Sequence, residues 1–101
     1  MHLDGARLWE AATAGARKLR EIGECFDSIQ MYLAKGIGAP IGSVVTGTNA
    51  FVKRANSAGK FLGGSVRASG VFAGPGRVAI EDIFLLWQVI NSEQPLIYPL
   101  K

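Results

Sequence analysis

The spacing of hydrophobic residues divides the chain into alternating extended and helical segments. Residues 2–4 are interpreted as the end of a strand. After them, apolar or small residues recur every three to four positions, which is typical of an amphipathic helix; these residues are Leu8, Ala12, Gly15, Leu19 and Ile22. Gly15 indicates that this helix divides into two shorter ones.

Strict alternation replaces the helical spacing between residues 27 and 33. Ile29, Met31 and Leu33 fall on one face and polar residues on the other, which is the period of a strand. A second short strand is expected at residues 43–46. The connection is shorter than the roughly dozen residues that a parallel crossover needs. The two strands are therefore either antiparallel neighbours or not neighbours at all.

Two helical stretches complete the pattern. One begins at Asn49 and ends at Gly63, with its apolar residues expected to face inward, namely Phe51, Val52, Ala55 and Leu62. The other covers about residues 66–90, and Pro75 is expected to break or kink it. From residue 79 this stretch is apolar almost all round, so it requires burial on several sides, which so few elements cannot provide. The order of elements predicts an α/β fold class. It comprises a strand end, a helix, two short strands that are expected to be antiparallel if they pair, and two helices.

Composition excludes several classes of protein. The chain has 101 residues, 49% of them hydrophobic and 19% charged, which fits one globular domain at most. The sequence contains one cysteine, Cys25, and one histidine, His2. This composition excludes an internal disulfide and a zinc finger and argues against a Ser-His-Asp site. We expect Cys25 to be a buried residue at a helix end, and we expect no metal site.

Charge and hydropathy bear on partners and location. The net charge is +3, but the basic residues are spread along the chain, so we expect no nucleic-acid binding. No apolar run approaches the roughly 20 residues of a membrane-spanning helix. No segment resembles a signal peptide. We therefore expect a cytoplasmic protein that does not associate with membranes.

Asp4 and Lys35 are the first candidates for chemistry. Each lies at or just beyond the carboxyl end of a predicted strand, where open α/β sheets place their ligands. A lysine for a Schiff base and an acid for the pyridinium nitrogen are what a pyridoxal phosphate site requires. Spacing alone, however, favours a solvated lysine and an Asp-Gly turn.

Three sequence words carry a resemblance to a known family. They are HLDGARLW, FDSIQMYLAKGIGAPIGSVVTG and FVKRANSAGKFLGGSVRASG. In this order and spacing they resemble the low-specificity threonine aldolases, which belong to the aromatic amino acid β-eliminating lyase/threonine aldolase group of fold type I pyridoxal phosphate enzymes. The resemblance implies that residues 1–82 form the central part of a fold type I large domain. Residues 83–101 are expected to be a divergent or truncated segment.

The resemblance also implies roles for individual residues. Lys35 matches the lysine that forms the Schiff base with pyridoxal 5'-phosphate, and Asp4 matches the partner of the pyridine nitrogen. Arg7 matches the arginine that binds the substrate carboxylate. Arg67 is expected to bind the cofactor phosphate and Lys60 the substrate. The implied reaction cleaves threonine or allo-threonine, a small amino acid substrate, to glycine and acetaldehyde, in a homo-oligomer for the full-length family.

Departures from the family pattern leave two alternatives open. Ala34 stands where the family usually has a serine before the lysine, and Ser65 stands at the third glycine of a GGG word. One alternative is a non-catalytic truncated remnant that keeps pieces of the cofactor chemistry. The other is a small basic interaction module, whose binding to a partner would not depend on Lys35.

Overall fold

A computed structural model describes residues 1–87 and residue 89. Within these residues the chain forms an α/β arrangement, which confirms the predicted fold class. The elements in chain order are β1 (His2–Gly5), α1 (Leu8–Thr13), α2 (Leu19–Gly23), β2 (Ser28–Tyr32), β3 (Ser43–Gly47), α3 (Asn49–Phe61), α4 (Gly70–Val78) and a π-helical segment (Ala79–Phe84). Residues 85–87 continue the last helix.

The three strands form one sheet in the order β1-β2-β3. β1 pairs with β2 in parallel, with Asp4 opposite Gln30. β2 pairs with β3 in antiparallel, with Tyr32 opposite Ser43. The prediction of antiparallel neighbours is confirmed, and the helices α1 and α2 form the crossover that a parallel pair needs.

The first predicted helix is divided, as Gly15 indicated. Gly15 has a φ of 80° and ends the first helical segment, and Lys18 is extended before α2 begins.

In α3 the hydroxyl of Thr48 caps the amino end by accepting the N–H of Phe51 at 3.3 Å. The expectation that Leu62 faces inward is wrong. Its residue is 79% exposed, because α3 ends at Phe61 and the chain leaves the sheet there.

The sequence predicts a break or a kink at Pro75. The helix is not broken there, since α4 runs through it from Gly70 to Val78. The ring of a proline normally collides with the Cβ of the preceding residue in a helix. Here that residue is Gly74, which has no Cβ. On the other side, a Cβ on Gly76 would lie 2.8 Å from Leu33 Cδ1. The glycines therefore let α4 continue and approach the end of β2 closely.

The core lies on one face of the sheet. Its buried residues are Trp9, Leu33, Ile37, Ala39, Ala79 and Phe84. The rings of Trp9 and Phe84 meet edge to face, with centroids 5.0 Å apart and planes at 69°. The last helix is buried only on this side, since Leu85 and Leu86 are exposed. Cys25, expected to be buried, is exposed because it follows the short, peripheral helix α2.

Candidate functional site

The structure brings Asp4 and Lys35 to the same edge of the sheet. Asp4 lies in β1, and Lys35 follows the end of β2. Because these two strands are parallel, their carboxyl ends meet at one edge, which is where α/β sheets bind ligands. Both side chains are exposed there.

The two residues also share a face. Asp4 pairs with Gln30 in register, so their side chains lie on the same side of the sheet, and Tyr32 follows on that side two residues later. Met31 points the other way and packs against the core. We call the side that carries Asp4, Gln30 and Tyr32 the open face. On it, Gln30 Nε2 donates a hydrogen bond to Ser43 Oγ at 3.3 Å.

A cation–π contact places the lysine amine on this face. Lys35 Nζ lies 4.6 Å from the centroid of the Tyr32 ring. Strand spacing and rise put the Cα atoms of Asp4 and Tyr32 about 8 Å apart. Within the described residues, neither Asp4 nor Lys35 forms an ion pair. The amine and the carboxylate thus share the open face without forming an ion pair.

The loop after β2 holds the backbone of Lys35 in place. The N–H of Leu33 donates to the carbonyl of Gly42 at 2.9 Å, and the N–H of Gly38 donates to the carbonyl of Lys35 at 2.9 Å. Ile37 is completely buried and anchors the loop in the core. The lysine backbone is therefore fixed while its side chain remains exposed.

Helix α1 contacts the end of β2 and the loop that follows it. Trp9 Nε1 donates a hydrogen bond to the carbonyl of Tyr32 at 3.0 Å. The Glu10 carboxylate packs against Gly36, where a Cβ would lie 2.3 Å from Glu10 Cδ. One oxygen of that carboxylate, Oε2, is buried with no hydrogen-bond partner among the described residues. Two residues of α1 thus contact the chain on either side of Lys35, one at the end of β2 and one in the loop after it.

Sequence reasoning missed Tyr32 and Glu10. A signal for Tyr32 was present, because an aromatic residue on the polar side of a strand lies three positions before a lysine. No local signal identifies Glu10. Its contact with Gly36 arises from the packing of α1 against a loop that is distant in sequence.

Arg7 lies at the same edge, in the turn between β1 and α1. It precedes the first residue of α1, with φ −127° and ψ 32°. Its side chain is exposed and forms no hydrogen bond or ion pair within the described part of the chain. The guanidinium is therefore available to an anion that reaches this edge.

Lys60 and Arg67 lie on a different part of the molecule. Lys60 is in the last turn of α3, and Arg67 is in the turn before α4. All residues from 61 to 70 are exposed. Within residues 1–87 and 89, no hydrogen bond or ion pair connects either side chain to Asp4 or Lys35. Of the five predicted residues, three therefore lie at the carboxyl edge of β1 and β2, namely Asp4, Arg7 and Lys35.

The clearest electrostatic perturbation lies at the opposite edge of the sheet. The N-terminal ammonium of Met1 donates a hydrogen bond to Asp27, just before β2. This bond, together with the positive charge, lowers the pKa of the Asp27 carboxyl.

Among the described residues, no group of acidic, histidine and cysteine side chains could hold a metal ion. No helix in that part of the chain is long and apolar enough to cross a membrane.

Comparison with known proteins identifies the family. Residues 1–92 match the family model for the beta-eliminating lyases. The chain belongs to this family. Aldolase vrtJ of Penicillium aethiopicum is similar to it, with 51% identity over 84% of this chain and 22% of that protein. The low specificity L-threonine aldolase of Saccharomyces cerevisiae is 46% identical over 87% of this chain and 22% of that enzyme.

A solved structure supports the fold of this beta-eliminating lyase chain. It comes from Listeria monocytogenes and is assigned as an L-allo-threonine aldolase. It superposes with a TM-score of 0.80 at 28% identity, over 90% of this chain and 25% of that one. The chain spans about a fifth of the length of the curated relatives described above. The predicted resemblance to threonine aldolases is confirmed.

Proposed function

We propose that this chain carries the lysine-bearing part of a pyridoxal phosphate-dependent lyase that cleaves threonine or allo-threonine to glycine and acetaldehyde. The observation that supports the proposal is the shared open face, on which both the Lys35 amine and the side chain of Asp4 lie. Membership of the beta-eliminating lyase family supports it. The yeast relative, a low specificity L-threonine aldolase, and the Listeria relative, assigned as an L-allo-threonine aldolase, support the substrate class.

The residues present fit the proposed cofactor. The amine of Lys35 is exposed and forms no ion pair among the described residues, so an aldehyde can reach it. The carboxylate of Asp4 is exposed and likewise unpaired there, so it can accept the N–H of a pyridinium ring. When bound, the cofactor supplies an electron sink for the pair released as the substrate Cα–Cβ bond breaks.

Each residue of the chain has a definite task in this proposal. Lys35 holds the cofactor covalently through its amine nitrogen. Asp4 accepts a hydrogen bond from the ring nitrogen and favours its protonated form, because a carboxylate stabilises a nearby positive charge. Arg7 binds the substrate carboxylate through two parallel hydrogen bonds, for which the planar guanidinium is suited.

Arg67 and Lys60 remain proposed contacts of the cofactor phosphate and the substrate. Both side chains are exposed and carry a positive charge that suits an anion. No hydrogen bond or ion pair among the described residues joins them to Asp4 or Lys35, so they are the weaker part of the proposed site. Substitution of Arg67 by Ala should therefore affect cofactor affinity less than substitution of Lys35.

The test is a titration of the purified chain with pyridoxal phosphate, followed by visible absorbance. We expect saturable binding of one equivalent that is lost in Lys35→Ala and weakened in Asp4→Asn. Lys53→Ala is the matched control, because Lys53 is an exposed lysine on α3, outside the proposed site. Identical spectra from the unsubstituted chain and Lys35→Ala would contradict the proposal.

Glycine formation from threonine then separates catalysis from binding. Glycine production that depends on Lys35 would support a lyase. Cofactor binding at Lys35 without glycine production would instead support a chain that retains the cofactor chemistry but not turnover.

A further inference from the structure

Lys35 carries a long, flexible side chain on an exposed loop, yet its amine is found at one place on the open face. Among the described residues, its recorded partner is the ring of Tyr32. We propose that Tyr32 is a positioning residue, whose ring holds the Lys35 amine on the open face that also carries Asp4. This inference rests on the proposed function.

The ring is a fixed support rather than a second flexible group. Its backbone belongs to the last residue of β2, paired with Ser43 of β3. Its carbonyl accepts the indole N–H of Trp9 at 3.0 Å. Trp9 itself is buried against Phe84, with 4% of its residue exposed. Tyr32 is therefore tied to both the sheet and the core.

The geometry suits a cation. The amine lies 4.6 Å from the ring centroid, inside the roughly 6 Å over which the negative face of an aromatic ring attracts an ammonium group. A free lysine side chain samples many rotamers, and fixing it costs conformational entropy. A ring at this distance favours the rotamers that keep the amine on the open face, so less ordering remains when the amine captures an aldehyde.

The attraction would also act after an aldehyde is captured. The ammonium would first lose a proton to solvent; the neutral amine would then attack the aldehyde carbon, and the aldehyde oxygen would leave as water. The Lys35 nitrogen would again be cationic when protonated, so the ring face could stabilise it after capture as well as before. Tyr32 acts through Lys35 and need not touch the substrate.

Two variants separate the ring from the rest of the side chain. Tyr32→Phe keeps the aromatic face and removes only the hydroxyl, whereas Tyr32→Leu removes the ring. Both keep the backbone carbonyl that binds Trp9. If the ring is the active feature, the phenylalanine variant should behave like the unsubstituted chain.

The direct measurement is nuclear magnetic resonance of the lysine ε-methylene groups in the free chain, with the Lys35 signal assigned by its loss in Lys35→Ala. We expect an upfield ring-current shift of the Lys35 signal, kept in Tyr32→Phe and lost in Tyr32→Leu. A Lys35 signal with the same shift in the leucine variant would overturn the proposal. This measurement needs no cofactor.

The second measurement asks whether the position matters for aldehyde capture. Each chain is incubated with pyridoxal phosphate and reduced with borohydride, and the fraction modified at each lysine is read by mass spectrometry. We expect the modified fraction at Lys35, relative to Lys53, to fall about two- to five-fold in Tyr32→Leu and to be retained in Tyr32→Phe. An equal fraction in all three chains would overturn the positioning role.

Failure of the proposed function gives a different result. If the unsubstituted chain shows no preference for Lys35 over Lys53, the cofactor assignment fails. The ring-current shift would still decide whether Tyr32 holds the amine.

Discussion

Asp4 owes its place to the residue that follows it. Gly5 is buried and pairs with Met31, so β1 and β2 remain in close contact up to the edge where the site lies. A Cβ at Gly5 would lie 2.6 Å from the backbone oxygen of Gln30 and 3.2 Å from Leu8 Cβ. Only a residue without a side chain allows Asp4 to stand in register with Gln30.

We expect Gly5→Ala to destabilise the fold by about 2–3 kcal/mol, because a strand carbonyl cannot yield as a side chain can. Urea unfolding followed by circular dichroism measures this change. Gly23→Ala is the matched control, since nothing lies within 4 Å of its Cβ position in α2. Alanine there should stabilise the helix by up to about 1 kcal/mol. Equal stability of the two variants would show that the contact at Gly5 has been misjudged.

The positions of Lys35 and Asp4 could be predicted from the sequence, whereas the contacts around them could not. Alternation from residue 27 to 33 located the strand and hence the lysine that follows it. The attraction between Lys35 and Tyr32 is also local in sequence, but a strand pattern says only which face a residue occupies. The contact of Glu10 with Gly36 depends on tertiary packing, which no local pattern contains.

At the scale of elements, periodicity located the helices better than their ends and contacts. The amphipathic pattern after Asn49 placed α3 correctly but extended its inward face to Leu62, which is exposed. The pattern around Pro75 predicts a break or a kink because proline usually interrupts a helix, yet α4 is not broken there. A glycine on each side changes that outcome, since one relieves the proline ring and the other allows close packing.

Gly76 connects the last helices to the loop of Lys35. A Cβ on Gly76 would lie 2.8 Å from Leu33 Cδ1, so the glycine leaves room for the leucine side chain. Leu33 lies two residues before Lys35. We expect Gly76→Ala to destabilise the chain by about 1 kcal/mol, because the leucine methyl can move at moderate cost. Urea unfolding measures the loss. The same displacement should broaden or shift the Lys35 resonance in nuclear magnetic resonance spectra.

Gly70→Ala is the control for this element-scale prediction. It lies at the start of the same helix, and nothing lies within 4 Å of its Cβ position. It should leave the Lys35 resonance where it is. A Lys35 shift of the same size in both variants would mean that α4 does not act on the loop through Leu33.

At the scale of the whole molecule, helices cover one face of the sheet. The last of these helices has an outer side that is apolar and exposed to solvent. Phe84 is buried against Trp9, but Leu85, Leu86 and Val89 are 53%, 56% and 58% exposed. Apolar residues this exposed on one helix favour association with other surfaces. The sequence anticipated this exposure, because a helix apolar almost all round cannot be buried by so few elements.

We therefore expect the isolated chain to self-associate as its concentration rises, and we expect Leu86→Glu to reduce this association. A charged side chain in the middle of an apolar contact must lose its hydration when the contact forms, which opposes association. Because residue 86 is exposed in the single chain, the substitution should leave the fold intact. Sedimentation velocity at increasing concentration measures the association, and circular dichroism checks the fold.

Ser57→Glu is the matched control, because it adds the same charge at an exposed site on α3. If association depended only on the net charge of +3, both variants would change it equally. A selective effect of Leu86→Glu would assign the association to the outer face of the last helix. Association that is unchanged in Leu86→Glu would place the contact elsewhere, with the exposed Phe61 and Leu62 at the end of α3 as the next surface to substitute.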